Sequence, residues 1–184
     1  MLNELDILRD VSERLEGVGI AFMLTGSMAM NYYAEPRMTR DIDLVVELER
    51  SMAPTLLDIF SPDYYIAEEA VAEALRFRSM FNIIHSRSVI KVDFVVRKDS
   101  PFRRQEFRRR RRIDVDGFST WIVSREDLIL SKMEWMVAAF GSEIQRRDIL
   151  NLLDGEYDQE YLRRWAEELN LTPQLDELLD ERHD

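Results

Sequence analysis

The stretch TGSMAMNYYAEPRMTRDIDLVV, residues 25–46, decides the fold of this 184-residue chain. An apolar run at residues 20–24 precedes it and predicts a buried strand that ends in the turn at Gly26-Ser27. The residues from 27 to 33 predict a short helix that closes before Pro36, and residues 41–47 predict a second strand. This succession of strand, turn, helix and strand indicates a mixed α/β core.

The second of these strands opens with two carboxylates. Asp41 and Asp43 are two positions apart, so their side chains point to one face of the strand while that of Ile42 points to the other. Like charges held side by side repel each other, and a divalent cation would supply the missing positive charge. The structural alternative is that Asp41 begins the strand and pairs with Arg37 or Arg40.

A third carboxylate, Asp93, interrupts the apolar sequence VIKVDFVV at residues 89–96. A buried carboxylate in such a strand is expensive unless it is paired or bound to a metal ion. Lys91 lies two positions earlier, on the same face, and is the alternative partner. Asp41, Asp43 and Asp93 are therefore candidate metal ligands, with simple ion pairing as the competing interpretation.

The residue types that are scarce limit the chemistry. The chain has no cysteine and two histidines, His85 and His183, which excludes a disulfide scaffold, a cysteine nucleophile and a thiolate zinc site. Two distant histidines do not supply the usual catalytic zinc set. We therefore expect any metal ion to be a hard cation on oxygen ligands, Mg²⁺ or Mn²⁺.

Two further features are typical of phosphate binding. Gly26-Ser27 joins a strand to a helix, which points backbone N–H groups and a hydroxyl at the space above the helix N-terminus. Lys132 lies on or beside the apolar stripe of a predicted helix, four residues after Leu128. The simpler alternative for Ser27 is that it is the N-cap of an ordinary turn. The simpler alternative for Lys132 is that its side chain reaches past the apolar stripe to solvent. A phosphate or Asp148 is the more specific partner for Lys132.

The outer parts of the chain complete the fold class. Residues 80–84 and 89–96 predict an antiparallel pair, and a hairpin brackets Asp116-Gly117. From Ser124 onward the periodicity is helical. We predict an α+β protein with a mixed sheet flanked by helices: a core over residues 1–123 and a C-terminal helical segment over residues 124–184, packed as one compact unit.

The motifs together resemble the nucleotidyltransferase superfamily, which has the polymerase-β-like fold. The resemblance extends to the bacterial branch of AbiEii-type toxins, in which the core is followed by segments like SREDLILSKMEW, SEIQRRDILNLL and YLRRW, here residues 124–135, 142–153 and 161–165. It covers roughly residues 20–169. One departure is Asn151, where some relatives carry a second acid.

The resemblance implies a role for each candidate residue. Asp41 and Asp43 would hold two Mg²⁺ ions, and Asp93 would be the third carboxylate and the general base. The nucleoside triphosphate would be bound by the remaining candidates, which are Gly26 and Ser27 at the β- and γ-phosphates, Arg37 and Thr39 in the loop, Lys132 at the triphosphate and Asp148 beside it.

The charge of the chain is distributed unevenly. The net charge is −11, yet residues 103–112, RRQEFRRRRR, carry seven arginines and one glutamate. We call this segment the arginine run. It leads into a predicted strand, with Arg108, Arg110 and Arg112 on one face. Three interpretations are open: the run is a solvated edge strand, it binds an RNA acceptor such as tRNA, or it binds an acidic protein or the chain's own acidic tail.

These observations lead to two hypotheses of different class. The first is a Mg²⁺-dependent nucleotidyltransferase that moves NMP from an NTP to an acceptor hydroxyl, with a tRNA 3′ end ahead of a protein hydroxyl, as a toxin that would have an antitoxin partner. The second is a non-catalytic binding module that keeps the fold. The chain has no apolar run of 18 residues and an acidic N-terminus, so we expect no signal peptide, no membrane span and a cytoplasmic location.

Overall fold

A computed structural model describes residues 2–139 and 142–182, so His183 lies outside the described residues. The strands are β1 (Phe22–Thr25), β2 (Ile42–Val46), β3 (Tyr64–Ile66), β4 (Met80–His85), β5 (Lys91–Val96), β6 (Arg111–Val115) and β7 (Phe118–Ile122). The helices are α1 (Glu4–Gly17), α2 (Gly26–Tyr33), α3 (Ala53–Phe60), α4 (Glu68–Phe77), α5 (Pro101–Arg108), α6 (Arg125–Ala138), α7 (Glu143–Leu153), α8 (Gln159–Glu168) and α9 (Thr172–Glu181), with a 3-10 turn at Arg50–Met52.

The strands of the described residues form one seven-stranded mixed sheet in the order β3-β4-β5-β2-β1-β7-β6. β2 runs parallel to β5, and β1 runs parallel to β7, while the other neighbours are antiparallel. The predicted α+β class with a mixed sheet flanked by helices is confirmed. The antiparallel pairing of β4 with β5 and the hairpin at Asp116-Gly117 are confirmed as well.

The two faces of the sheet are covered differently. Leu24, Leu44 and Phe94 lie on one face and are buried under α1, α3 and α4. Phe60 of α3, for example, packs against the Phe94 ring at 5.8 Å between centroids. The opposite face carries Asp43 and Asp93, and α2 and α6 cover it on the β1 side. A cleft therefore opens where this cover ends.

The C-terminal helices form around α6. Ser124 begins α6, where its hydroxyl oxygen accepts a hydrogen bond from the backbone N–H of Asp127, as expected for an N-cap. Eight residues of α6 are buried, because it packs against α2, α7 and α8. From Arg125 to Arg182 the described residues contain helices and no strand.

The arginine run differs from the prediction. Its first half is not an approach to a strand but helix α5, which Ser100 caps through its hydroxyl and which has Pro101 at its first position. The strand β6 begins only at Arg111. Arg108 therefore does not share a strand face with Arg112, and the predicted alternation of the run is wrong. Seven arginines concealed the helical pattern, in which Phe102, Glu106 and Phe107 point inward.

Candidate active site

Two of the three predicted acids lie side by side. Asp43 of β2 and Asp93 of β5 are register partners on adjacent parallel strands, so both side chains point to the same face. Asp93 is buried and Asp43 is half-buried. Asp41 lies just before β2, and its side chain is 60% exposed. The structure thus brings Asp43 and Asp93 together and leaves Asp41 at the rim.

Lys91 is the cation nearest to these acids. Its Nζ atom lies 2.7 Å from Oδ2 of Asp93 and 3.7 Å from Oδ1 of Asp41. The hydrogen bond to Asp93 raises the pKa of Lys91, which keeps it charged. The ion-pairing alternative for Asp93 is therefore realised in the structure. It does not exclude the catalytic interpretation, because one lysine leaves the three acids with a net negative charge.

Asp43 bears the uncompensated part of that charge. Burial, followed by the charges of Asp93 and Asp41, raises its pKa to about 6. Within the described ranges its carboxylate makes no hydrogen bond and no ion pair. Gly26, which has a φ of +65°, makes room for it, because a Cβ atom there would lie 2.1 Å from Oδ2 of Asp43. The turn at Gly26 thus packs closely against the Asp43 side chain of β2, whose carboxylate has no partner among the described residues.

The donor chemistry fits a hard divalent cation. Asp43 and Asp93 offer carboxylate oxygens on one face, and the raised pKa of Asp43 shows that positive charge is lacking there. No group of three or more histidine, aspartate or glutamate side chains in the described part of the chain has the geometry of a metal site. Asp41, which points toward Lys91, would have to turn inward to complete one.

A second cluster lies across the cleft, where α2, α6 and α7 meet. Arg37 donates from Nη2 to the hydroxyl oxygen of Ser27 at 2.6 Å, and from Nε and Nη2 to the two carboxylate oxygens of Asp148 at 2.8 and 2.9 Å. Lys132 donates to Oδ2 of Asp148 at 2.7 Å and to Oε1 of Gln145 at 3.2 Å. One carboxylate therefore holds both cations beside the turn at Ser27.

The hydrogen bonds from Arg37 and Lys132 keep Asp148 ionised. Its burial works to raise its pKa, but the hydrogen bonds from Arg37 and Lys132 outweigh burial, so the pKa lies below its ordinary value. Lys132 itself is only 4% exposed, which rules out the alternative that it reaches past the stripe to solvent. Ser27, Lys132, Arg37 and Asp148 form one connected group, which can receive an anionic ligand.

One member of the acid pair and two members of the second cluster line a cavity of about 210 Å³. They are Asp43 on one side and Ser27 and Lys132 on the other, with Gly26 at the turn between them. Among the other lining side chains, which the sequence did not single out for the site, are Met80, Trp135 and Gln145. Trp135 is 58% exposed. Its position three residues after Lys132, on the same side of α6, was the available signal.

Thr39 and Asn151 are placed differently from the other candidates. Thr39 lines a neighbouring cavity of about 700 Å³, between α1, α2 and β6, and not the acid cleft. Asn151 accepts a hydrogen bond from the backbone N–H of Glu35 and donates one to its carbonyl oxygen, at 3.2 and 2.9 Å. The asparagine that departs from the family pattern thus fastens the loop before β2 onto α7.

The arginine run is largely neutralised by acids of the chain itself. Arg103 pairs with Glu106 and Glu134, and Arg109 pairs with Glu126 and Asp127. Arg104 and Arg112 pair with Asp99 and Glu16. Of the remaining three, Arg110 stacks on Phe107 and Trp121, while Arg108 and Arg111 have no carboxylate partner among the described residues. The described part of the acidic tail supplies none of these partners.

Known protein structures share this fold at low sequence identity. An antigenic nucleotidyltransferase-like protein from Paracoccidioides brasiliensis is 18% identical over 96% of this chain and 92% of its own, with a TM-score of 0.59. A nucleotidyltransferase described as putative from Thermotoga maritima is 15% identical over 91% and 96%, with a TM-score of 0.53. The lincosamide antibiotic adenylyltransferase LnuA is 11% identical over 82% of this chain and 96% of its own, with a TM-score of 0.54.

A comparison of sequences is more specific than this likeness of folds. No curated protein matches the chain in sequence. A family profile described as the nucleotidyl transferase AbiEii toxin of type IV toxin–antitoxin systems matches residues 11–169. That range contains both clusters of the cleft and three of the four C-terminal helices, α6 to α8. The chain therefore belongs to the AbiEii family of nucleotidyltransferase toxins.

Proposed function

We propose that this protein transfers a nucleoside monophosphate from an NTP to the 3′ hydroxyl of an RNA, in the presence of Mg²⁺, as the toxin of a toxin–antitoxin pair. The observation that carries the proposal is a cavity lined on one side by Asp43, the register partner of Asp93, and on the other by Ser27 and Lys132. Asp43 and Asp93 supply negative charge on the sheet, and Lys132 and Arg37 supply positive charge at the turn. A nucleotidyl transfer needs both, for the cation and for the phosphates.

The residues divide the reaction between them. The acceptor oxygen bonds to the α-phosphorus, the bond from that phosphorus to the oxygen bridging it to the β-phosphate breaks, and pyrophosphate leaves with the electron pair. Ser27, the N–H groups at the start of α2 and Lys132 bind the phosphates that leave. Asp93 accepts the proton of the acceptor hydroxyl. Asp148 keeps Lys132 and Arg37 in place.

Asp43 and Asp93, joined by Asp41, would hold the Mg²⁺. When bound, the cation neutralises charge on the phosphates and lowers the pKa of the acceptor hydroxyl. Mn²⁺ offers the same chemistry on the same oxygen ligands. Lys91 holds Asp93 and Asp41 in the protein alone, and its ion pairs would loosen as the cation binds.

The proposal also covers the RNA acceptor and a protein partner. Arg108 and Arg111, the two exposed arginines of the run that have no carboxylate partner among the described residues, are available to RNA phosphates. The toxin family suggests an antitoxin protein as a partner. In the described ranges no helix is long and apolar enough to span a membrane. We expect the protein to act in the cytoplasm, where NTPs and RNA are found.

A second candidate function is transfer of the same nucleotide to a small molecule. The cavity of about 700 Å³ beside Thr39 is lined mainly by apolar side chains and lies next to the loop that leads to the acids. The structurally similar LnuA is, by its name, a lincosamide adenylyltransferase. A cavity of this size accommodates a drug-sized acceptor. Transfer to a protein hydroxyl, or no transfer at all, would correspond to the remaining hypotheses.

The test is incubation with each of the four α-labelled NTPs, Mg²⁺ and either total RNA, protein extract or a small-molecule extract. We expect label in the RNA fraction at a 3′ end. The matched controls are Asp43→Asn and Asp93→Asn, which keep the shape of the side chain and remove the charge. Label that persists in both variants would contradict the mechanism, and label in another fraction would reassign the acceptor.

A further inference from the structure

Two large apolar side chains are exposed at the outer end of the acid cleft. Trp135 of α6 is 58% exposed and Met80 of β4 is 52% exposed. Both line the cavity of about 210 Å³ that also contains Ser27, Asp43 and Lys132. Scattered apolar residues on a surface need no explanation, but two that flank the same polar cleft are typical of a binding site for a flat apolar group.

The packing of the fold does not account for Trp135. The neighbouring α6 residues Met133 and Met136 are buried and contribute to the core, whereas the indole ring makes no aromatic contact with another described residue. The rings of the other two tryptophans are covered within the fold: the guanidinium of Arg110 lies over Trp121, and the ring of Phe102 packs against Trp165. Trp135 therefore has an open ring face in the cleft.

The position of Trp135 relative to the phosphate cluster decides which flat group fits. Trp135 follows Lys132 by three residues on α6, so the two side chains are neighbours on one face of the helix. A ligand whose phosphates reach Lys132 and Ser27 would place its base toward Trp135 and Met80. The ribose would bridge the distance between them.

Gln145 of α7 adds a polar group to the lining of the same cavity, next to Lys132. Its Oε1 atom accepts the hydrogen bond from Lys132, and its amide nitrogen has no partner among the described residues. That nitrogen can donate to a ring nitrogen or a carbonyl oxygen of a base. An aromatic face, a flexible thioether and an amide donor are the groups with which proteins hold nucleobases.

We propose that Trp135, Met80 and Gln145 form the nucleobase subsite of the cleft, in which the base stacks on the Trp135 indole and receives a hydrogen bond from Gln145. This inference rests on the proposed function, because it assigns the base of the NTP whose phosphates bind at Ser27 and Lys132. A purine overlaps the indole ring more fully than a pyrimidine, so ATP and GTP bind more tightly than CTP and UTP.

The experiment compares nucleotides with a ligand that has no base. The affinities of ATP, GTP, CTP, UTP and inorganic tripolyphosphate are measured by titration calorimetry with Mg²⁺ and without acceptor, for the wild type, Trp135→Ala and Trp135→Phe. We expect Trp135→Ala to weaken ATP binding by about tenfold to a hundredfold and to leave tripolyphosphate unchanged. Trp135→Phe, which retains a ring, restores most of the ATP affinity.

The outcomes separate this inference from the proposed function. If tripolyphosphate binds but ATP binds no more tightly to the wild type than to Trp135→Ala, the base subsite is wrong and the phosphate site stands. If Trp135→Ala weakens both ligands equally, Trp135 has a structural role and the subsite is also wrong. If neither ligand binds to the wild type, the proposed function itself fails. Retention of the thermal melting temperature in both variants serves as the folding control.

Discussion

The acid cleft and the arginine run are both clusters of like charge in the sequence, yet the structure treats them in opposite ways. In the run, Arg103 and Arg109 each pair with two carboxylates, which belong to α6 except for Glu106 of α5 itself. In the cleft, Asp43 has no hydrogen-bond or ion-pair partner among the described residues, and burial, followed by the charges of Asp93 and Asp41, raises its pKa to about 6. The fold supplies carboxylate partners for most arginines of the run, but in the part of the chain that the structure describes it supplies no cationic partner for Asp43.

The difference shows where a charge cluster is structural and where it awaits a ligand. A buried ion that is fully paired contributes to folding, and the loss of one partner is destabilising. An ionised group that lies close to like charges and has no partner lowers the stability of the fold. Such groups are typical of sites that bind a ligand. The arginine run, which has the higher local charge, is therefore mostly part of the scaffold. The following predictions test this division in order of decreasing effect.

The largest loss of stability is expected at the acid that holds Arg109. Asp127 is fully buried, and its carboxylate accepts hydrogen bonds from Arg109 at 3.0 Å, from the Tyr161 hydroxyl at 2.6 Å and from the Ser124 hydroxyl at 2.6 Å. Asp127→Ala leaves these groups without their acceptor, so the free energy of unfolding in urea should fall by about 3–5 kcal/mol.

A matched control for Asp127 is Asp99, which also pairs with an arginine of the run. Asp99 is exposed and pairs with Arg104 of α5, so Asp99→Ala should leave the free energy of unfolding nearly unchanged. Equal losses from the two substitutions would mean that burial does not distinguish the pairs and that the scaffold interpretation of the run is wrong.

Asp148 shares features of both regions, because it is fully paired and also belongs to the cleft. Asp148→Asn should lower the free energy of unfolding by about 3 kcal/mol at pH 7, since Lys132 loses its charged partner. The pKa of Asp148 is lowered in the folded protein. Its contribution is therefore fully present above the unfolded pKa and is lost as the pH falls through the lower, folded value.

The pH dependence gives the check on Asp148. Melting temperatures of the wild type and of Asp148→Asn are compared from pH 7 down to pH 3, with the difference expected to narrow below about pH 4. A difference that grows as the pH falls would have the wrong sign for a carboxylate that is ionised and paired in the folded state.

Asp43 should respond in the opposite direction. Its raised pKa means that the ionised form opposes folding, so Asp43→Asn should increase the free energy of unfolding by about 1–2 kcal/mol at pH 7. The same substitution should reduce nucleotidyl transfer by at least about a thousandfold, if the proposed function holds. A variant that loses both stability and activity would place Asp43 among the structural acids, together with Asp127.

The sequence was sufficient for the parts of the site that follow from local pattern. The spacing of Asp41, Asp43 and Asp93 and the turn at Gly26 follow from strand alternation and turn chemistry, and the structure places Asp43 and Asp93 as register partners. Lys132 was recognised because it lies on the apolar stripe of its helix, and Asp148 was recognised through the resemblance to the family. In the structure, Lys132 donates a hydrogen bond to Asp148 at 2.7 Å.

The features that depend on tertiary contacts could not be predicted. The exposure of Trp135 depends on where α6 ends its contact with the sheet, which no periodicity specifies, and helix α5 was hidden because its inward positions are few. Arg103 pairs with Glu106 of its own helix, but its other partner and both partners of Arg109 come from α6, up to 31 residues away along the chain. The charge of the run is therefore visible in the sequence, but most of its neutralisation is not.

The smallest effect is expected from Arg108 and Arg111, the two exposed arginines of the run that have no carboxylate partner among the described residues. Arg108→Gln/Arg111→Gln should change the free energy of unfolding by no more than about 0.5 kcal/mol, because both lie on the surface. If RNA is the acceptor, the double variant should reduce the slope of log affinity against log salt by about 1.4, since each contact with a single strand contributes about 0.7.

The measurement for these arginines is RNA binding by fluorescence anisotropy across a salt series, with Arg104→Gln as the control. Arg104 is already paired with Asp99, so it should change the salt slope less than either unpaired arginine. If all three arginines contribute equally, RNA competes successfully for the paired members, and the run is a binding surface as well as a scaffold. If none contributes, the acceptor must be held by the cleft itself, because neither the paired nor the unpaired arginines of the run then contact the RNA.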